Sequence, residues 1–299
     1  MDTNLFVDDK EIKKSVSNFA IYQNEYAKYE GRSNLLNMSQ AVVILNSRRL
    51  LDAIGFEIIN AVYQLQFSTS RQITEYLNIT KKIEVTQSQV SSKLKNFNSL
   101  SIVKRFSFIS DKREEGTNMK FYCLELNGKN LLISHGYPCN WKPTDTVSTL
   151  NVKSYLIRNQ YILKVYKECS NIDYLKLKKL TNGIGATYSV NNNEHILIPV
   201  RRTVDYESEL LRTYNSLENN SDVISMKNEK YIIIGEDAKH IFNIFKFLFS
   251  KKLINSSTYF VTDLKLFDRE IKKVFVRFGI KETNGKVDVI MKDELLEDF

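Results

Sequence analysis

The 299-residue chain has only three cysteines, three prolines, three histidines and ten glycines. Cys123, Cys139 and Cys169 never fall in a C-x-x-C spacing and lie far from any cluster of histidines. Neither a disulfide framework nor a zinc site is therefore indicated. So few glycines and prolines exclude collagen-like and low-complexity classes. No run approaches the roughly 18 apolar residues of a membrane span, and Met1-Asp2-Thr3-Asn4 opens acidic instead of with a basic and then apolar leader. The reading is a soluble cytoplasmic protein without membrane contact. His135, His195 and His240 are dispersed, which removes the paired-histidine metal site that a tyrosine nucleophile needs, despite 16 tyrosines. No phosphate-binding G-x-x-x-x-G-K-[ST] and no G-x-S-x-G nucleophile turn occur. No cofactor and no metal are expected.

The chain does have length for two domains, at about 150 residues each, and an excess of positive charge. Lys and Arg number 43 against 35 Asp and Glu, a net charge of +8. The excess is concentrated: from Asn78 to Arg105 stand Lys81, Lys82, Lys93, Lys95, Lys104 and Arg105 against the single acid Glu84. With few carboxylates nearby in sequence to neutralise them, these cations favour a polyanionic partner over internal ion pairs.

Periodicity orders the first half. Lys10 to Glu30 reads as a helix, carrying Ile12, Val16, Phe19, Tyr26 and Tyr29, within an N-terminal extension over residues 1–34. Leu51, Ile54, Ile58, Ala61, Val62 and Leu65 mark one face of a helix from Arg49 to Phe67. Thr69 with Gln72, and Thr86 with Gln89, have the spacing of capping boxes and open two further helices, Ser70–Leu77 and Thr86–Phe97. The last buries the narrow stripe Val90, Leu94 and Phe97 and turns Ser88, Ser91, Ser92, Lys95 and Asn96 outward. Ile102 to Ser110 and Met119 to Leu126 form a hairpin around the polar turn from Asp111 to Asn118.

Helix, short helix, helix and hairpin is the order of a winged helix-turn-helix, here over residues 45–134, in which the third helix enters the major groove of duplex DNA. The expected DNA contacts are Gln87, Ser88, Ser91, Ser92, Lys93, Lys95 and Asn96 on that helix, with Lys104, Arg105, Lys112 and Arg113 on the wing. Short polar side chains permit close approach to base edges, and lysine and arginine neutralise phosphates.

Two of the three prolines fall in 135–150, which reads as a linker. Residues 151–299 read as an α/β domain: a helix from Asn151 to Cys169, a hairpin of Ala186–Val190 and His195–Val200, a helix from Asp205 to Leu217, the apolar strand Tyr231–Gly235, a core helix from Ala238 to Phe249 and a strand at Ser257–Val261. The fold class is α+β.

From about residue 45 to 265 this order, with the strand-to-helix exit around Gly128 and the hairpin, helix and strand ending at Gly235, resembles the replication-relaxation family of plasmid and integrative-element proteins. The resemblance implies a winged helix joined to a domain like that of the PD-(D/E)XK nucleases. It implies double-stranded DNA as partner, with a second copy of the chain and replication or transfer proteins of the same element as further partners. A nuclease of that class needs an Asp and a (D/E)-x-K on adjacent strand ends to hold Mg²⁺. The matching strand, Ile196 to Arg202, has no carboxylate. Asp205 and Glu207 suit a helix start, and Asp288 and Lys292 have the wrong spacing. The implied protein keeps the fold without catalysis. A transcriptional regulator with a sensor or dimerisation domain, and a divergent nuclease using Asp205, Glu207 or Asp288, are the alternatives.

Overall fold

The computed structural model describes residues 17, 19–22, 24–31, 37–110, 118–142, 147–169, 178–179, 184–191, 193–203, 205–219, 229–283 and 286–296. The chain divides into two compact units, Tyr22–Leu163 and a second that joins Met1–Ile21 to Lys164–Phe299.

In the first unit, β1 (Tyr26–Tyr29) is followed by α1 (Met38–Ser47), α2 (Ala53–Leu65), α3 (Ser70–Thr80), α4 (Gln87–Ser99), β2 (Val103–Ile109), β3 (Lys120–Leu124), α5 (Leu126–Ser134) and α6 (Thr149–Glu168). Both expected capping boxes form: Thr69 with Gln72 opens α3, and Thr86 with Gln89 opens α4. A third, Asn37 with Gln40, opens α1, a helix that the sequence reading does not include. Val90, Leu94 and Phe97 are fully buried in a core shared with Ile58, Val62, Ile73 and Leu77.

The antiparallel sheet runs β1-β2-β3. Tyr26–Tyr29 is thus a strand and not the end of a helix, with Tyr26 opposite Ile109 and Tyr29 opposite Phe106. The outer edge of β2 supplies hydrogen bonds that local helical spacing cannot anticipate, and Glu30 seals the pairing: its N–H donates to the Arg105 carbonyl. Of the rest of the expected helix, residues 17, 19–22, 24, 25 and 30 are described and form no helix, and 10–16, 18 and 23 lie outside the described residues.

Residues 135–150 are not a bare linker. Cys139 is buried in the core of the first unit with Tyr137 and Trp141 packed against it. The Trp141 indole donates to the Leu124 carbonyl at 2.8 Å, and the Tyr63 hydroxyl to the Pro138 carbonyl at 2.8 Å. The division between units falls later, inside α6. The first part of that helix holds the three-helix core: Asn159 Nδ2 donates to the Leu65 and Phe67 carbonyls at 2.9 and 2.8 Å, and Gln72 Nε2 donates to the Leu156 carbonyl at 2.7 Å. Asn159 thereby clamps the tight turn at Gln66, where φ is +66°.

The second unit carries β4 (Lys178–Lys179), β5 (Ala186–Val190), β6 (Asn193–Pro199), α7 (Tyr206–Asn219), β7 (Lys230–Gly235), α8 (Ala238–Ser250), β8 (Thr258–Thr262), α9 (Asp263–Asp268), β9 (Phe275–Thr283) and β10 (Lys286–Glu294). Its seven-stranded sheet has the order β10-β9-β8-β7-β6-β5-β4. The strands β6, β7 and β8 are mutually parallel, and the others pair antiparallel. The fold is therefore α+β with a three-stranded and a larger mixed sheet. The helices α7 and α8 cover one face through Leu210, Tyr214, Ile241 and Phe245. As its nearly all-round apolar sequence suggests, α8 is a core helix, with Phe249 exposed. The ribbon β9–β10 is absent from the sequence reading. Among the described residues, no helix is long and apolar enough to cross a membrane.

Candidate nucleic-acid interface

The α4 helix presents the polar face that its sequence spacing requires. At about 100° per residue, Ser88, Ser92 and Lys95 fall within about 60° of one another, opposite the buried stripe. These three and Gln87 are exposed, while Ser91 and Asn96, at the margins, are half-buried. Gln87 Nε2 donates to Ser70 Oγ at 3.2 Å, which sets the N-terminus of α4 beside that of α3. Neither helix has an acidic residue in its first turn, so the positive ends of two helix dipoles meet there.

The basic cluster fares differently. Lys81 pairs with Glu57 at 3.3 Å, Lys93 with Asp52 at 2.8 Å, Lys104 with Glu125 at 3.2 Å and Arg105 with Glu30 at 2.9 Å. Lys104 is also buried, its side chain 5% exposed. It cannot be a DNA contact, and Lys93 and Arg105 are committed to carboxylates. The expectation that this segment lacks internal partners is overturned: the partners come from α2 and its cap, from the residue after β1 and from the residue after β3. Among the described residues, Lys82 and Lys95 have no ion-pair partner. Lys112 and Arg113 lie outside the described residues.

A second polar cluster, which the sequence reading missed, occupies the carboxyl ends of the three parallel strands of the second unit. Arg201 follows β6, Glu236 and Asp237 follow β7, and Asp263 follows β8. The Arg201 guanidinium grips Asp263 with two bonds, 2.7 and 3.0 Å, and donates to the Ile234 carbonyl at 3.2 Å, all fully buried. Glu236 Oε1 accepts the N–H groups of Arg202 and Ile21 at 2.8 and 3.3 Å. Asp237 caps α8 through the His240 N–H and pairs with Arg202. The only available signal was an acidic residue directly after an apolar strand, at Gly235-Glu236 and Thr262-Asp263.

These carboxylates are engaged. A cation would have to displace a bidentate arginine from Asp263, and among the described residues no group of three or more His, Cys, Asp or Glu side chains is placed to hold a metal ion. Asp205 and Glu207 stand exposed at the start of α7, where a carboxylate suits the helix dipole.

His240 is buried against this cluster and accepts the Glu236 N–H at Nδ1, so its proton resides on Nε2. Burial, and next the Arg201 and Arg202 charges, push the imidazole down to about 3. Between that value and the ordinary histidine value near 6.5 the unfolded chain takes up a proton that the folded one refuses. Stability therefore falls as pH drops through this window, by up to about 1.4 kcal/mol per pH unit. The Glu236 carboxyl, raised chiefly by burial, acts in the opposite sense, favouring the fold at low pH and losing that contribution as pH rises. Denaturant titrations between pH 4 and 7 are expected to show a shallower acid loss in His240→Asn, which keeps the acceptor. An identical pH slope in the two proteins rejects this assignment.

Comparisons of the chain with protein-family models, curated proteins and solved structures find no match.

Proposed function

We propose that the chain is a cytoplasmic, sequence-specific double-stranded DNA-binding protein of a plasmid or other mobile element. In this reading α2, α3, α4 and the β2–β3 hairpin form a winged helix-turn-helix, and the protein serves replication, transfer or their regulation without catalysis. The observation that carries it is α4: an exposed stripe of short polar side chains and one unpaired lysine, opposite a fully buried stripe, on the helix that follows a short helix and precedes a hairpin. Such a face suits base edges in the major groove. The isolated bridge between Ser68 and Tyr122 ties the segment between α2 and α3 to the hairpin, as a wing requires. The second unit, in this reading, is the nuclease-like domain with its strand-end carboxylates turned to structural ion pairs. The mobile-element setting rests on the family resemblance.

Internal pairing limits the electrostatic share of binding. Of the cations on α4, the turn before it and the wing, Lys82, Lys95, Lys112 and Arg113 are left for phosphates, so log K is expected to fall with log salt at a slope of about −4. Substituting Ser92 and Asn96 by alanine is expected to cost about 1 to 3 kcal/mol per lost base contact on the target sequence and to leave random DNA nearly unaffected. Lys95→Ala lowers the slope by about 0.9 if that lysine meets a phosphate. Titrations of genome-selected and random duplexes decide the matter. Equal losses on both for the Ser92 and Asn96 variant, or none on either, remove α4 as the reading helix. Cleavage of supercoiled DNA with Mg²⁺ that disappears in Asp205→Ala overturns the non-catalytic reading.

A further inference from the structure

The start of α2 lies against the second half of α4 and meets it at two points. At Gly55 the helices come so close that a Cβ there would stand 3.3 Å from Phe97 Cζ. One turn earlier on α4, Lys93 Nζ donates to both oxygens of Asp52 at 2.8 Å and to the Leu50 carbonyl at 3.4 Å. Asp52 is itself the N-cap of α2, its Oδ1 accepting the Gly55 N–H at 2.6 Å. Residues two apart on a helix are rotated by about 200°, so with Lys95 on the outer face Lys93 points nearly the other way, toward α2.

We propose that Lys93 and Asp52 form a specificity-determining pair, which touches no DNA and sets the angle at which α4 presents Ser88, Ser92 and Lys95. The proposal rests on α4 as the reading helix. The buried stripe of Val90, Leu94 and Phe97 holds α4 to the core, but apolar burial is non-directional and a narrow stripe resists rolling of the helix weakly. Directional bonds on its flanks supply what burial lacks. Gln87 and Lys93, six residues apart, lie about 120° from each other around the helix, one on each side of the stripe. Gln87 holds its side to Ser70 at 3.2 Å and Lys93 holds the other to Asp52. Base contacts require placement within about 0.5 Å, whereas attraction to phosphates reaches over a Debye length of about 8 Å. A small roll of α4 therefore costs sequence reading and spares non-specific binding.

The test compares wild type, Lys93→Gln, Asp52→Asn, the double variant and Lys93→Arg on a genome-selected and a random duplex over a range of salt. Asparagine caps a helix as well as aspartate does, so Asp52→Asn keeps α2 capped and removes only the charge. Both single variants are expected to bind the selected duplex about five- to tenfold more weakly, the worth of about one base contact, with random DNA and the salt slope unchanged. The double variant is expected to lose no more than either single one, because the second change removes a bond already broken. Lys93→Arg, which keeps the cation, is expected to keep most of the discrimination. If Lys93 met a phosphate instead, Asp52→Asn would free it and tighten binding to both duplexes, and Lys93→Gln would weaken both and lower the slope by about 0.9. Either of those results overturns the proposal, as do additive losses in the double variant. Hydrogen exchange of the full chain without DNA keeps the two failures apart. Faster exchange of the α4 amides in both single variants supports the pair, and exchange equal to the wild type's overturns it. A wild type that binds both duplexes equally removes the DNA-binding reading, and the specificity role with it.

Discussion

Asp263→Asn is expected to destabilise the second unit by about 3 to 5 kcal/mol. The substitution is nearly isosteric, so the loss is electrostatic. Arg201 remains fully buried, its charge no longer balanced by the carboxylate it now grips at 2.7 and 3.0 Å. The same physics makes the double variant instructive. Removing both charges, as Arg201→Met with Asp263→Leu, spares the cost of burying an ion pair and is expected to be far less damaging than either single change. Chemical denaturation at neutral pH of Arg201→Met, Asp263→Leu and the double variant measures the cycle. If the double variant loses as much as the sum of the single ones, the pair is not coupled and the reading of this cluster fails.

Gly128→Ala is expected to cost about 3 kcal/mol in the first unit, a large effect for one methyl group. Glycine in a helix is ordinarily a defect that alanine repairs. Here α5 passes so close to the chain entering β2 that a Cβ on residue 128 would stand 2.3 Å from the Ile102 carbonyl oxygen and 2.7 Å from Leu124 Cδ1. The obstructing atom is backbone, so no side-chain rotation relieves it. Two bonds in the same corner, from Glu125 N–H to the Ile102 carbonyl and from Asn127 Nδ2 to the Leu100 carbonyl, fix that approach. Gly279 is the control: the nearest atom to a Cβ there is the Ile290 oxygen at 4.0 Å, and Gly279→Ala should be tolerated. Thermal unfolding of the two variants, matched for chemistry and different in surroundings, separates a close-packing effect from a general loss of backbone freedom. Equal effects count against the close approach.

The helices of the first unit were legible because their instructions are local. A capping box spans four residues, and the buried stripe of Val90, Leu94 and Phe97 follows from a period of 3.6. The same holds for Ala186–Val190, its turn and the strand after it, and for α8. The structure departs where a segment's partner lies far away in sequence. Tyr26–Tyr29 has spacing compatible with a helix, but β2, some 80 residues on, offers an open edge. The ribbon β9–β10 likewise depends on pairing rather than on local pattern.

The candidate site divides along the same line. The sequence alone determined which side chains α4 turns away from its core, because helix geometry and apolar spacing leave one face for Ser88, Ser92 and Lys95. It could not determine which charges are free. Lys81, Lys93, Lys104 and Arg105 look unopposed in a window that holds one acid, yet each meets a carboxylate from another element: Glu57, Asp52, Glu125 and Glu30. Likewise Arg201, Glu236 and Asp263 are scattered over some 60 residues and become neighbours only because β6, β7 and β8 run parallel and end together. Periodicity is a property of adjacent residues and survives in the sequence. Charge compensation depends on distance in space, and only the folded chain sets that distance.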